Sequence, residues 1–239
     1  MSTPEIDRVL VAGASGGTGR EILLALDDLD VTVVGHTTSP EKRTSLTALG
    51  ADEVVVADLL DRGDAGDVVE GCDAILSTVG TNAALGFLVG DLVDGTGTIN
   101  LGRAAQEAGV DRFVMESAIG VGDSRNAMAL PVRVVLRRPL AAKDRAERFL
   151  RRTDLGYTIL RPGRLTNDPA TGDVVVGERG GTVSGSVPRA DVARLMVAAL
   201  YTPEARNRTF EVVSRPGLGE TLGSLADVEW ADPWTEREE

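Results

Sequence analysis

Val9-Leu10-Val11-Ala12-Gly13-Ala14-Ser15-Gly16-Gly17-Thr18-Gly19-Arg20 is the stretch that decides how this chain folds. An apolar run ends in a loop with glycines at 13, 16 and 19, and Ile22, Leu23, Leu26 and Leu29 follow at helical spacing. Strand, glycine turn and helix in that order is the setting a dinucleotide-binding fingerprint requires. Gly13 permits a sharp turn. Gly16 lets the backbone approach a pyrophosphate with no Cβ in the way, and Gly19 lets the helix sit close to its strand. The free N–H groups and positive dipole end of the helix then face phosphates, which adds Ser15, Gly17 and Thr18 to the candidate set. The spacing is G-x-x-G-x-x-G, not G-x-G-x-x-G, and the chain has 28 glycines. The loop therefore argues only together with its flanking strand and helix. No Lys-Ser or Lys-Thr pair follows Gly19, so a Walker loop is excluded.

Outward from this loop, composition sets bounds. A length of 239 residues suffices for one α/β domain with a full core, and 42% apolar content suits a globular protein. No apolar run approaches 18 residues, and Met1 to Asp7 carries acids without an apolar core, so neither a membrane helix nor a signal peptide is expected. The lone cysteine, Cys72, rules out an internal disulfide and fits a reducing cytoplasm. It opens the apolar run Ala74 to Val79, which suits a buried structural thiol. Acids outnumber bases 37 to 25, for a net charge of −12, which disfavours nucleic acid and anionic membranes as partners. One cysteine and one histidine leave only carboxylates to hold a metal, and no metal site is expected.

Taken in order, strands are expected at 8–13, 30–36, 52–59, 73–79, 112–117 and 157–160. Helices are expected at 17–29, 39–49, 65–70 and 88–109. A charged helix over 131–153 is expected to break near Pro139, and an amphipathic one spans 188–201. Short strands are expected at 174–176 and 209–213, and Arg161-Pro162-Gly163 is expected to stop the sixth strand. Alternating strands and helices with short connections imply a doubly wound parallel sheet, a single α/β domain over 1–218 whose part beyond about 162 closes the substrate side of a cleft. Residues 219–239 form an acidic tail holding Trp230 and Trp234, either frayed or docked on the body or a neighbouring subunit.

In such sheets ligands sit outside the carboxyl ends of the strands. The second strand ends in Gly35-His36-Thr37-Thr38, with no acid until Glu41. An acid there would bind the adenosine ribose and repel a 2′-phosphate. Instead His36, Thr37, Thr38 and the nearby Lys42 or Arg43 can donate to a phosphate, which favours NADP, with NAD as the alternative. Asp58, beside Leu59, either accepts from an adenine amino group or caps its own turn. Val79-Gly80 brings backbone near the cofactor, and Ser117 and Pro162 stand at the ends of later strands.

With these residues in hand, the chain resembles an atypical short-chain dehydrogenase/reductase of the NmrA-like, NAD(P)H-binding group, over roughly residues 8 to 215. The likeness rests on the glycine loop, Val55-Val56-Ala57-Asp58-Leu59, Gly109-Val110-Asp111-Arg112-Phe113-Val114, Ser117-Ala118-Ile119-Gly120, Tyr157-Thr158-Ile159-Leu160-Arg161-Pro162-Gly163 and Arg189-Ala190-Asp191-Val192-Ala193. It implies a Rossmann fold and a nicotinamide cofactor. The better-known members use a Tyr-x-x-x-Lys pair. Here Lys143 sits in the expected helix, but four residues earlier stands Pro139, and the only tyrosines are Tyr157 and Tyr201. Two functions follow. One is a reductase like the group's flavin and biliverdin reductases, passing a hydride to a flavin- or quinone-like small-molecule acceptor that Ser117 orients while Lys143 holds the ribose. The other is a non-catalytic redox sensor reporting to a regulatory protein partner. A sugar-nucleotide epimerase or dehydratase fits less well, because it also needs the tyrosine. Ser117 as a loop cap, Lys143 as a surface lysine and a homo-oligomeric state stay open.

Overall fold

The central strand of the main sheet is β1 (Arg8–Ala12), and its side chains alternate between two buried faces. Val9 and Val11 enter one apolar cluster, Leu10 and Ala12 the other. A strand buried on both sides reads as a continuous apolar run, as this one does. The computed structural model describes residues 6–81, 92–128, 130–178, 180–221, 223 and 225–235. Beside β1 lie β2 (Thr32–Thr37), β3 (Glu53–Val56), β4 (Ala74–Ser77), β5 (Arg112–Glu116) and β6 (Gly156–Pro162). Further along the chain come β7 (Arg164–Thr166), β8 (Val174–Glu178), β9 (Val183–Pro188), β10 (Arg208–Ser214) and β11 (Leu218–Thr221). The eight-stranded sheet runs β3-β2-β1-β4-β5-β6-β10-β8, parallel except where β8 meets β10. Its first six strands keep the doubly wound order, which reverses between β1 and β4 and opens a crevice there.

Helices α1 (Gly17–Leu26), α2 (Arg43–Thr47) and α7 (Arg189–Tyr201) cover one face. Helices α3 (Arg62–Val69), α4 (Thr98–Ala108) and α6 (Arg137–Leu150) cover the other, and α5 (Leu130–Val135) precedes α6. Local chemistry sets several boundaries. Asp61 caps α3 by accepting from the Gly63 and Asp64 amides at 2.7 and 3.2 Å. Helix α4 ends at Gly109, whose φ of +76° suits a left-handed cap.

The structure corrects several sequence expectations. The charged helix breaks at Leu136, not near Pro139. Pro139 is the third residue of α6, inside the first turn, where an amide would lack an intrahelical acceptor anyway. Strand β6 runs through Arg161 to Pro162. The missing proline amide is tolerated because the Pro162 carbonyl takes the Ile119 amide and Gly163 donates to Val212. The helix expected over 88–109 enters by a π-helical turn, Val93–Gly97, and its first residues, 88–91, lie outside the described residues. A second sheet, β11-β9-β7, was not expected; β7 and β11 are too short to show a period, and β9 carries a glycine and a proline that read as turn residues. The segment beyond residue 218 begins inside that sheet. Farther on, Trp230 packs edge-on to Phe210 at 5.2 Å. Trp234 donates from its indole nitrogen to the Ala25 carbonyl at 2.9 Å while Arg194 stacks on its ring at 4.1 Å. Of the two readings of the tryptophans, docking on the body holds.

Candidate functional site: a cleft at the carboxyl edge of the sheet

A cleft of about 760 Å³ lies over the carboxyl ends of β1, β2, β4 and β5. At one end is the glycine loop. Gly13 sits at a φ of +82°, where an L side chain is strained, and its carbonyl accepts from the Gly16 amide at 2.9 Å and the Thr78 hydroxyl at 3.2 Å. Helix α1 starts at Gly17, and the cap position before it is Gly16, with no side-chain cap and no acid in the first turn. Its leading amides therefore face the cleft as an anion site, the test a diphosphate imposes, and the local residues meet it. A Cβ on Gly16 would approach only the Gly13 carbonyl, at 3.2 Å, so glycine keeps the cradle open. A Cβ on Gly19 would lie 2.3 Å from that carbonyl. Gly19 thus does not line the cleft; it lets α1 lie against β1.

Ser15, Gly17 and Thr18 also line the cleft. Over Gly17 lies a residue the sequence reading quoted but did not place in the site. Arg189, first in α7, would have its Nε only 2.6 Å from a Cβ on Gly17, and it donates to Asn167 Oδ1 at 2.7 Å. A guanidinium beside an uncapped helix start is suited to a diphosphate.

At the end of β2, His36 departs from expectation. The Gly13 amide donates to Nδ1 at 3.3 Å, so Nδ1 accepts and the ring proton is on Nε2, which donates to the Ala57 carbonyl at 3.2 Å. Burial lowers its pKa and keeps the ring neutral. Both nitrogens are committed to the backbone, so His36 braces the loop and has no donor left for a phosphate. Thr37 donates to Ser15 Oγ at 3.1 Å, and Thr38 is exposed at the rim. Arg43 is turned to the Val54 carbonyl at 2.5 Å, while Lys42 stays exposed.

The other end of the cleft is charged. Lys143 Nζ donates to the Glu116 carbonyl oxygen at 3.0 Å and lies 3.7 Å from Asp94 Oδ1. Asp94, in the π-helical turn, also takes the Thr81 amide at 2.7 Å and the Thr81 hydroxyl. A Cβ on Gly80 would sit 3.4 Å from Asp94 Oδ1 and 4.0 Å from Lys143 Nζ, so Gly80 gives the cleft access to this pair, and Val79 lies beside it. The Glu116 carboxyl is buried and accepts the Thr18 hydroxyl at 2.9 Å. Burial drives its pKa up, against the pull of Lys143, the Thr18 bond and Arg189. The sequence does not single out Asp94 or Glu116, because one carboxylate in a glycine-bearing turn or at a strand end carries no local signal.

Four expectations need amending. Ser117 lines the cleft, but its hydroxyl donates to Glu147 Oε1 at 2.6 Å; Glu147 in turn holds the buried Arg161 through 3.0 and 2.7 Å bonds. Ser117 therefore has no hydroxyl proton to offer an acceptor. Asp58 is exposed and accepts from the Leu60 amide at 3.0 Å, which selects the turn-capping reading. Leu59 is fully buried in the core, and Pro162 is held in the sheet. Neither reaches the cleft.

Residues 13–203 match the family described as NAD(P)H-binding. The chain belongs to that family. This agrees with the short-chain dehydrogenase/reductase resemblance and gives the cleft a nicotinamide cofactor to hold. Among relatives, a Bacillus subtilis protein named an uncharacterized sugar epimerase, YhfK, is 33% identical, over 86% of this chain and 93% of that protein. A solved structure from Bacillus halodurans, named an NAD-dependent epimerase/dehydratase, is 31% identical with a TM-score of 0.79, covering 90% of this chain and 95% of that one. ChuY of Escherichia coli O157:H7, described as an anaerobillin reductase, shares the fold at 24% identity and a TM-score of 0.76, over 87% and 97% of the two chains. Among the described residues of this NAD(P)H-binding protein, no helix is long and apolar enough to cross a membrane.

Proposed function

We propose that this protein is an NADPH-dependent reductase that passes a hydride to a flat conjugated acceptor. One observation carries the reading. The cleft joins a glycine cradle to a buried acid and cation, with apolar walls from Val93, Leu136, Pro139, Leu140 and Leu165 between them and no tyrosine. Ser15, Gly16, Gly17, Thr18 and Arg189 would hold the diphosphate, and Lys143 a ribose. When bound, NADPH supplies the hydride. The choice of NADPH rests on the β2 end, where the exposed Thr38 and Lys42 stand in place of a carboxylate.

The missing tyrosine shapes the chemistry. An isolated ketone needs a positioned proton donor at its oxygen. A conjugated ring instead spreads the electron pair it gains with the hydride, and needs one proton to complete a two-electron reduction. Glu116 is suited to give it: its buried carboxyl holds a proton above the ordinary carboxylate range and can regain it from water. A sugar-nucleotide epimerase or dehydratase would work through the absent tyrosine; the names of the Bacillus subtilis and Bacillus halodurans proteins carry only sugar epimerase and epimerase/dehydratase. The sensor reading draws support from the Ser117 hydroxyl, which is tied to Glu147.

An anaerobic panel of FMN, riboflavin and menadione with NADPH or NADH separates these readings. The reductase reading expects faster NADPH consumption than NADH, slowed at least about tenfold by Lys143→Ala. It also expects the rate to fall as pH rises through the Glu116 titration, and Glu116→Gln to remove that limb. NADPH binding with no acceptor reduced would establish the sensor instead, and tighter binding of NADH would reverse the cofactor choice.

A further inference from the structure

The geometry points to a second pocket beside the cleft, ringed by Arg125, Arg133 and Arg137, as the seat for an anionic arm, phosphate or carboxylate, on the acceptor. This inference rests on the reductase reading and names the substrate class within it.

The pocket measures about 340 Å³, and Leu140 is a wall common to it and the cleft. Its arginines come from three elements: Arg125 from the 3-10 turn Gly122–Ala127, Arg133 from α5 and Arg137 from α6. Several arginines elsewhere on this acidic chain find carboxylates. Arg8 holds Glu53, Arg206 holds Asp111, and Arg208 holds Glu178, each through two bonds. Here they do not. The hydrogen bond from Arg133 goes to the Arg125 carbonyl at 3.2 Å, and the pocket's one lining carboxylate among the described residues, Asp144, is taken by Arg148 at 2.8 Å. On a chain of net charge −12, three arginines without carboxylates around one small pocket form a local positive field.

Beside these cations the surface is apolar. Leu130 is 61% exposed and Val134 58% exposed, and both line the pocket. Cations next to exposed aliphatic side chains suit a ligand with a greasy body and a charged arm. The volume fits a phosphate or carboxylate on a short linker and is too small for a folded partner.

FMN and riboflavin test this directly, since they share the ring and differ in the phosphate. Flavin fluorescence quenching is read on the full chain saturated with NADP+, which keeps the flavin out of the glycine cradle. FMN is expected to bind about tenfold or more tighter than riboflavin, the scale of a charge-assisted bond. In Arg125→Gln/Arg137→Gln the ratio falls to about one, while riboflavin affinity and melting temperature hold. Menadione and a derivative bearing a propionate arm repeat the comparison for a carboxylate, and the pair with the larger ratio names the arm. Equal binding within both wild-type pairs, no binding by any of the four, or a ratio that survives the double variant would overturn the inference. A preserved ratio without NADPH consumption would remove the reductase reading and leave the anion seat standing.

Discussion

At the β1–β2 end of the cleft the working surface is backbone. Gly13, Gly16 and Gly17 clear the space, the α1 amides point into it, and a neutral His36 braces the loop from behind. At the β5–α6 end the surface is ionisable: Glu116, Lys143 and Asp94 meet in the cleft, with Ser117, Glu147 and Arg161 packed behind them. The first end is pre-formed and, apart from the Arg189 guanidinium over Gly17, built of neutral groups, ready for a ligand that brings its own charge. The second stores charge inside the protein, where each member depends on the others. Holding a cofactor and moving a proton place opposite demands on a surface, and this fold meets them at opposite ends of one cleft.

The largest effect should come from breaking the charged end. Burial alone would pull the Arg161 pKa down, yet Glu147 and Asp123 outweigh it and hold the group raised. Glu147→Leu leaves that buried guanidinium with only the exposed Asp123 as a partner. A loss of about 3–5 kcal/mol is expected, read as a melting temperature lower by roughly 10 °C. Glu147→Leu/Arg161→Met should recover much of it. If the single variant melts like wild type, the charged end is not a coupled unit.

A steric change at the cradle should cost less. Gly19→Ala sets a methyl group 2.3 Å from the Gly13 carbonyl. The helix must shift, at about 1–3 kcal/mol, or some 5 °C in thermal melts. An unchanged melting temperature would mean that α1 does not press on β1 as described.

Titration sharpens the contrast most finely, because the ends should respond with opposite sign. His36 has a lowered pKa in the fold. Its contribution is present above the unfolded value, about 6.5, and is lost as pH falls through the folded one. Glu116 has a raised pKa. Its contribution is present below the unfolded value, about 4.3, and is lost as pH rises through the folded one. Relative to wild type, Glu116→Gln should gain melting temperature with rising pH, and His36→Gln should lose less than wild type under acid. Parallel curves for all three proteins would put both groups in ordinary solvent.

The same contrast explains what could be read from the sequence. The cradle is local: strand, glycines and helix lie within about twenty consecutive residues, and each glycine has a steric reason visible in its neighbours. Gly13, Gly16, Gly17 and Thr18 therefore line the cleft as expected, whereas Gly19, expected to seat the pyrophosphate as well as to pack the helix, does only the second. The charged end is assembled from distant pieces. Glu116 meets Thr18 across 98 residues of chain, and Ser117 meets Glu147 across 30. No period or spacing encodes such pairs, so Glu116, Asp94 and the burial of the Ser117 hydroxyl emerged only in three dimensions. His36 was misread for a related reason. The strand end showed a ring near a phosphate, but not that Gly13 and Ala57 had already claimed both nitrogens. The break at Leu136 was displaced because proline is harmless in a first turn, which pattern alone does not locate.

Calorimetric titration of NADP+ into wild type and Gly16→Val tests the cradle most directly. A Cβ at Gly16 meets only the Gly13 carbonyl, at 3.2 Å, so a shift of a few tenths of an ångström lets the variant fold, while its side chain fills the space before the α1 amides. The account predicts a single site in wild type and an affinity at least about a hundredfold weaker in Gly16→Val, with melting no more than about 5 °C below wild type. Equal affinity in the two proteins, or no binding by wild type, would contradict it.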